Sequence, residues 1–172
     1  IGGVSIVVIT VAALTGTLKI SEGISGFANS AIWLIVGAFL FSRGFIKTGL
    51  GKRIAYNLIS AFGSSSLRLA YALALSDLIL APATPSNTAR VGGVIMPITT
   101  SLAKAFGSEP QNGPRKIGSF LMQSIYQVNT ITSAMFQTSM AGNTLVAALA
   151  LQSFGIGITW GDWAMAAIVP GI

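Results

Sequence analysis

The apolar positions of this chain fall into long blocks separated by short polar breaks. Residues 1–18, IGGVSIVVITVAALTGTL, are long enough to be one membrane span or most of one. The polar KISEGISG follows, and residues 29–46, NSAIWLIVGAFLFSRGFI, predict a second span. Arg43, Lys47, Lys52 and Arg53 place four cations in eleven residues at its end, which marks that side as cytoplasmic. Residues 1–47 therefore read as two transmembrane helices, with Lys19 to Gly26 facing outward.

The period then changes. Across KTGLGKRIAYNLISAFGSSS, Ile54, Leu58 and Phe62 recur every fourth residue, with Ala55 and Ile59 beside them. This predicts an amphipathic helix over 48–63, ending at Gly63 and fit to lie along a membrane interface. A short connecting helix packed on other protein would show the same pattern.

Two apolar limbs follow, Leu69 to Thr84 and Val91 to Ala103, joined by PSNTAR. As helices they reach about 24 Å and about 20 Å, less than a hydrocarbon core of about 30 Å. Pro82, Pro85 and Pro97 oppose one continuous helix. Arg68 precedes the first limb and Lys104 follows the second, so both ends carry the same sign. The pattern predicts a re-entrant hairpin over 67–104 that turns near mid-membrane. Two short full spans, with Arg90 on the outer surface, are the rival reading. Polar backbone at membrane depth needs protein or a water-filled cavity beside it. Ser86, Asn87 and Thr88 offer N-cap chemistry, free N–H groups and polar side chains, and Arg90 adds a charge. Such a tip suits an anion, although it also suits a plain helix cap.

GSEPQNGPRK is a polar loop that Arg115 and Lys116 keep cytoplasmic. More than forty apolar-rich residues follow, too many for one straight span. A helix over 115–156 broken at TSMAGNT is predicted, because Gly142 and Asn143 tolerate unwound backbone and Thr138, Ser139 and Asn143 bring oxygens. Discontinuous helices of this kind form the sites of many secondary transporters. Gln123, Gln127 and Asn129 read as helix–helix hydrogen bonds. WGDWAMAAIVPGI opens a further membrane helix over 163–172, with Trp160 and Trp163 expected in an outer aromatic belt.

Composition narrows the function. Of 172 residues, 52% are hydrophobic and 8% charged, with mean hydropathy +0.76; a soluble domain carries about 25% charged residues. The class is all-α, polytopic and membrane-embedded. The chain has no Cys and no His, which removes a catalytic triad, a thiolate zinc site and a histidine proton switch. Glu22, Asp77, Glu109 and Asp162 are far apart in sequence and form no visible carboxylate pair. No enzyme and no cofactor are expected. The net charge of +6 reads as topology rather than as nucleic-acid binding. Both ends fall inside apolar runs, so we expect an internal piece of a longer membrane protein.

Three blocks in order, KTGLGKRIAYNLISAFGSSS, LAPATPSNTARVGGVIMPI and ITSAMFQTSMAGNTL, resemble the divalent anion–sodium symporter family. The branch they look like holds bacterial citrate/succinate and tartrate/succinate antiporters and plastid 2-oxoglutarate/malate translocators. The resemblance implies the first of two inverted repeats of an elevator-type transporter, about half of the carrier and a homodimer when complete, in a membrane of the bacterial inner type. It implies Ser86, Asn87 and Thr88 as substrate ligands, with Asn143 and Arg90 nearby and Thr138, Ser139 and Gly142 in a facing unwound loop. The implied function is transport of di- and tricarboxylates such as malate, 2-oxoglutarate, succinate and citrate. Two departures matter: Pro82 stands where sodium-coupled members tend to have serine, and Ser139 where they tend to have glycine. They tilt the expectation toward anion exchange, with sodium symport as the alternative and a non-transporting membrane scaffold as a second one.

Overall fold

A computed structural model of the chain describes residues 2–62, 65–111 and 116–171. Among these, the only regular secondary structure is helical. Gly63, the expected end of the amphipathic helix, and Arg115, one of the loop cations, lie outside the described residues, as do Ile1 and Ile172.

The chain divides into two compact units, residues 1–36 and 37–172. The first holds α1 (Gly2–Leu14), the single turn α2 (Ile20–Gly23), a tight turn Ser25–Ala28 and the start of α3 (Ser30–Lys47). At thirteen residues α1 is about 20 Å long, short for a span by itself. The Trp33 indole donates to the Phe27 carbonyl at 2.6 Å and fixes the entry into α3.

The second unit is organised around α5 (Ser66–Leu80). Ser65 caps it, accepting the Arg68 N–H at 3.4 Å. Its buried positions are Leu69, Ala72, Leu73, Ser76, Asp77 and Leu80, the three-and-four spacing of one helical face. That face packs on α4 (Leu50–Phe62) and α8 (Ile117–Met135). Leu69, Leu73 and Leu80 join Ala55, Val94, Ile95, Ile98, Leu121 and Ile125 in one cluster. In lipid such contacts stabilise through close packing rather than through exclusion of water, so shape matters more than area. Gly51 lets α4 approach: a Cβ there would meet the Phe45 ring at 3.3 Å and Val94 at 3.4 Å.

Part of the apolar stripe of α4 is covered by protein. Ala55 is fully buried, and Ile54 and Ile59 pack against the core. Leu58 is half-buried, and Phe62, at the end of the stripe, is 50% exposed.

The two limbs are longer than their apolar stretches. Ser66–Ala83 runs helically for 18 residues, about 27 Å, and is long and apolar enough to cross a membrane. The return limb comprises α6 (Asn87–Arg90), a wide turn Val91–Ile95 and α7 (Met96–Ala105), which follow one another without a gap. Polar cap residues extend both limbs beyond what hydropathy marks. Pro97 does not end the second limb, because the preceding turn is widened to the π form; Pro97 has no N–H, and its ring would clash with the carbonyl four residues earlier in a regular helix.

Candidate functional site

Proline chemistry makes the hairpin tip. Pro82 sits in the tight turn Ala81–Ala83. Pro85 disfavours helical backbone at the residue before it, and Thr84 is extended at φ −131°, ψ 97°. Ser86 is also extended and restarts the helix as its N-cap, its Oγ accepting the Ala89 N–H at 3.2 Å. Asn87 Oδ1 accepts the Thr88 N–H at 2.8 Å. The remaining groups are donors. Among the described residues, the Asn87 backbone N–H and Nδ2 have no protein partner, and the Ser86 hydroxyl proton is unspent. Ser86 and Asn87 are half-buried and Thr88 is exposed.

Opposite the tip, α8 stops at Met135 and α9 (Ala141–Phe154) begins six residues later. The unwound segment is Phe136–Met140, slightly upstream of the predicted 138–144. Gly142 and Asn143 are helical, in the first turn of α9. Side chains rather than glycine hold the break open. The Ser139 hydroxyl lies 2.7 Å from both the Ser133 and Phe136 carbonyls. Asn143 Nδ2 donates to the same two carbonyls at 2.8 and 2.9 Å, and Thr144 donates to the Gln137 carbonyl at 3.1 Å. These bonds satisfy the carbonyls that a helix end otherwise leaves orphaned.

Tip and break are stitched together. The Thr138 hydroxyl donates to the Pro82 carbonyl at 2.8 Å, and the Ala141 N–H donates to the Pro85 carbonyl at 3.1 Å. Arg90 is the centre of the seam and is fully buried. Its Nε donates to Asp77 Oδ1 at 2.8 Å. Nη1 reaches the Thr84 and Ser139 carbonyls at 3.2 and 3.4 Å, and Nη2 reaches the Thr132 and Ser133 hydroxyls at 3.3 and 3.2 Å. A guanidinium has five N–H donors, and all five are spent. Asp77 Oδ2 accepts from the Thr132 hydroxyl and from Asn129 Nδ2. The knot is neutral and joins α5, the tip, α8 and the break.

The predicted residues thus divide into two groups. Ser86, Asn87 and Thr88 stand on the open side of the tip with donors to offer. Arg90, Ser139 and Asn143 are buried and bonded to protein, Thr138 bridges to Pro82, and Gly142 is exposed at the start of α9. A cavity of about 430 Å³ lies between α5 and α8, lined mostly by apolar groups such as Tyr71, Leu75, Ile131 and Met135; it suits an anion poorly.

Sequence reasoning missed Asp77, Thr132 and Ser133. One signal was present: an acid on one limb and a base on the other, both inside apolar surroundings, are expected to pair. It also separated Trp160 and Trp163 from the tip. In the structure Trp160 donates to Thr138 Oγ1 at 3.1 Å and Trp163 to the Ala134 carbonyl at 2.9 Å. Both indole N–H groups are satisfied by protein at the level of the break. An outer belt at the two tryptophans and a tip at mid-membrane therefore exclude each other.

Comparison with known proteins adds a lineage. The family model described as "Sodium:sulfate symporter transmembrane region" matches residues 1–172. The chain is 58% identical, over 99% of its length, to YflS of Bacillus subtilis, whose name assigns it provisionally to malate transport; the match covers 36% of that protein. It is 48% identical, over 100% of its length, to the chloroplastic dicarboxylate transporter 1 of Spinacia oleracea, covering 30% of it. It is 45% identical, over 84% of its length, to an L-tartrate/succinate antiporter of Escherichia coli, again covering 30%. The chain spans about a third of the length of these relatives, less than the half that a single repeat suggests.

Proposed function

Since the chain belongs to the sodium:sulfate symporter transmembrane-region family, a family of membrane transporters and not of enzymes, we propose that it is the first substrate-binding part of a multi-pass secondary carrier for di- and tricarboxylate anions. Malate, succinate, 2-oxoglutarate and citrate are the substrate class, and the relatives' names support it. A similar Escherichia coli protein is named an inner membrane protein, which supports a bacterial inner-membrane setting.

One observation carries the reading. The tip presents a set of unpartnered donors, the Ser86 hydroxyl and the Asn87 backbone and side-chain N–H groups, with its one nearby acid already neutralised by Arg90. A carboxylate accepts up to four hydrogen bonds. Each bond to a charged group contributes about 1.5–3 kcal/mol, enough for selective binding without a net positive site. In this reading Ser86, Asn87 and Thr88 touch the substrate. Arg90, Asn143, Ser139 and Thr138 hold the two backbones at which it binds. The hairpin re-enters the membrane, and a complete dimer moves the site across as an elevator. Behind these donors the irregular backbone is bonded to protein through Arg90, Thr138 and the Ala141 N–H, which irregular backbone at membrane depth requires.

Exchange is the mode we favour. A coupling sodium ion between tip and break would need convergent oxygens, and the Thr84 and Ser139 carbonyls there are already bound by Arg90. The family description favours the alternative, sodium symport. Counterflow in proteoliposomes of the full-length protein separates them: exchange runs equally with potassium in place of sodium, whereas symport stops. Asn87→Ala removes the Nδ2 donor and the Oδ1 that holds the Thr88 N–H, and is expected to reduce malate counterflow at least tenfold. Unchanged counterflow in that variant would end the assignment of the tip as the binding site.

A further inference from the structure

The Pro82 carbonyl is orphaned by sequence. In a tight helical turn it would accept the N–H of residue 85, but residue 85 is proline and has none. Its partner comes from the break instead: the Thr138 hydroxyl donates to it at 2.8 Å. The same hydroxyl accepts the Trp160 indole N–H at 3.1 Å. An indole can only donate and a carbonyl can only accept, so the direction of both bonds is fixed and the hydroxyl proton has one place to go.

Trp160 is itself held. Its ring stacks on Phe136 of the break, with centroids 5.6 Å apart and planes 14° from parallel. Trp163, one turn along α10 (Trp160–Gly171), donates to the Ala134 carbonyl in the last turn of α8. The start of α10 is fixed by a reciprocal cap: Asp162 N–H donates to Thr159 Oγ1 at 3.2 Å, and Thr159 N–H donates to Asp162 Oδ2 at 3.0 Å.

We propose that Trp160 and Thr138 form a positioning relay through which α10 sets the hairpin tip. The chain Trp160 Nε1–H to Thr138 Oγ1–H to Pro82 carbonyl links three segments that are distant in sequence, and it ends four and five residues before the donors at Ser86 and Asn87. Neither residue touches the anion. They fix the backbone from which the anion is bound, so that little ordering remains to be done on binding. The inference rests on the tip being the substrate site, as proposed above.

The test uses the full-length carrier in proteoliposomes. Trp160→Phe keeps the ring on Phe136 and removes the N–H. Thr138→Val keeps the shape and removes the hydroxyl, and Thr138→Ser keeps the hydroxyl. For malate counterflow, Trp160→Phe and Thr138→Val each raise KM about fivefold, the worth of one hydrogen bond, while maximal rate holds. The double variant is no worse than Thr138→Val, because both act through one chain of bonds, and Thr138→Ser behaves as the parent. A fall in maximal rate at constant KM, or additive effects, would overturn the relay. Hydrogen exchange gives a readout that does not depend on transport. The two variants speed exchange of the amides of residues 86–89 and leave those of residues 120–130 unchanged; unaltered exchange at the tip overturns the relay whatever KM does. A parent protein that exchanges malate alongside unmoved variants removes the relay alone. A parent that exchanges nothing removes the carriage reading and leaves hydrogen exchange to decide the relay.

Discussion

Arg90 shows how little of a side chain's bonding is written in its sequence position. A cation at a hairpin tip reads as a ligand for an anion, yet its five donors are all taken by protein. Its role is to join. Removing one member of a buried ion pair typically costs about 3–5 kcal/mol, because the other charge is left unpaired. Arg90→Met in the full-length protein is therefore expected to lose most monodisperse material on detergent size exclusion. Asp77→Leu combined with Arg90→Met removes both charges and recovers a folded peak; a double variant no better than Arg90→Met would mean that the pair is not the unit. Arg90→Lys is not conservative here. Lysine has three donors on one point charge, against five acceptors in a planar fork, so we expect a melting temperature clearly below the parent. Asp77 was not read as Arg90's partner because thirteen residues separate them, and only a hairpin brings them together. The Ser-Asn-Thr cap, by contrast, was legible from its residues, because N-cap geometry is local.

At the scale of elements, the base of the hairpin is as constrained as its tip. The return limb ends at α7, and α8 begins beside it. The Gly118 N–H donates to Ser108 Oγ at 3.1 Å, and a Cβ on Gly118 would lie 2.7 Å from that oxygen and 3.2 Å from the Ala103 Cβ. Gly118→Ala therefore overpacks a closed joint, at about 1–3 kcal/mol, and the melting temperature of the purified protein should fall. Adding Ser108→Ala relieves the nearest contact and should return part of the loss; no recovery would place the strain elsewhere. Periodicity made the elements themselves readable. The stripe of α4 is present in the structure, whereas α5, legible only as an apolar block, buries one face at three-and-four spacing. What covers a stripe is not written in its period, so α4 could be read for lipid or for protein, and Ala55 lies in a protein core. The break was placed near Gly142 because glycine permits unwinding. It falls at 136–140 because Ser139, Asn143 and Thr144 reach back to cap the freed carbonyls, a set of bonds that depends on both helices being in place.

At the scale of the molecule, the position of the tip across the membrane decides between the readings. Limbs of about 27–28 Å can carry it to mid-membrane in a protruding hairpin or close to the far side in an upright one. The two tryptophans do not resolve this, since both indole N–H groups are bonded to protein acceptors and neither needs a headgroup partner. Chemistry of access does resolve it. The chain contains no cysteine, so a thiol introduced within it has no background from these residues. Thr88 is exposed and makes a weak 3.4 Å contact to Asn87, so Thr88→Cys disturbs the fold little and puts the thiol at the proposed substrate contact. In the full-length carrier with cysteines beyond this chain removed, that thiol is expected to react with an impermeant maleimide at a rate that malate slows, because bound substrate covers the tip. Lys52→Cys, on the face that its cluster of cations assigns to the cytoplasm, should react from that side alone and be indifferent to malate. A carrier that alternates also lets the Thr88→Cys site be reached from each side in turn, with substrate shifting the balance between the two states. Reaction from the outer side only, at a rate untouched by malate, would place the tip at a fixed outer boundary and remove both the re-entrant hairpin and the anion site built on it.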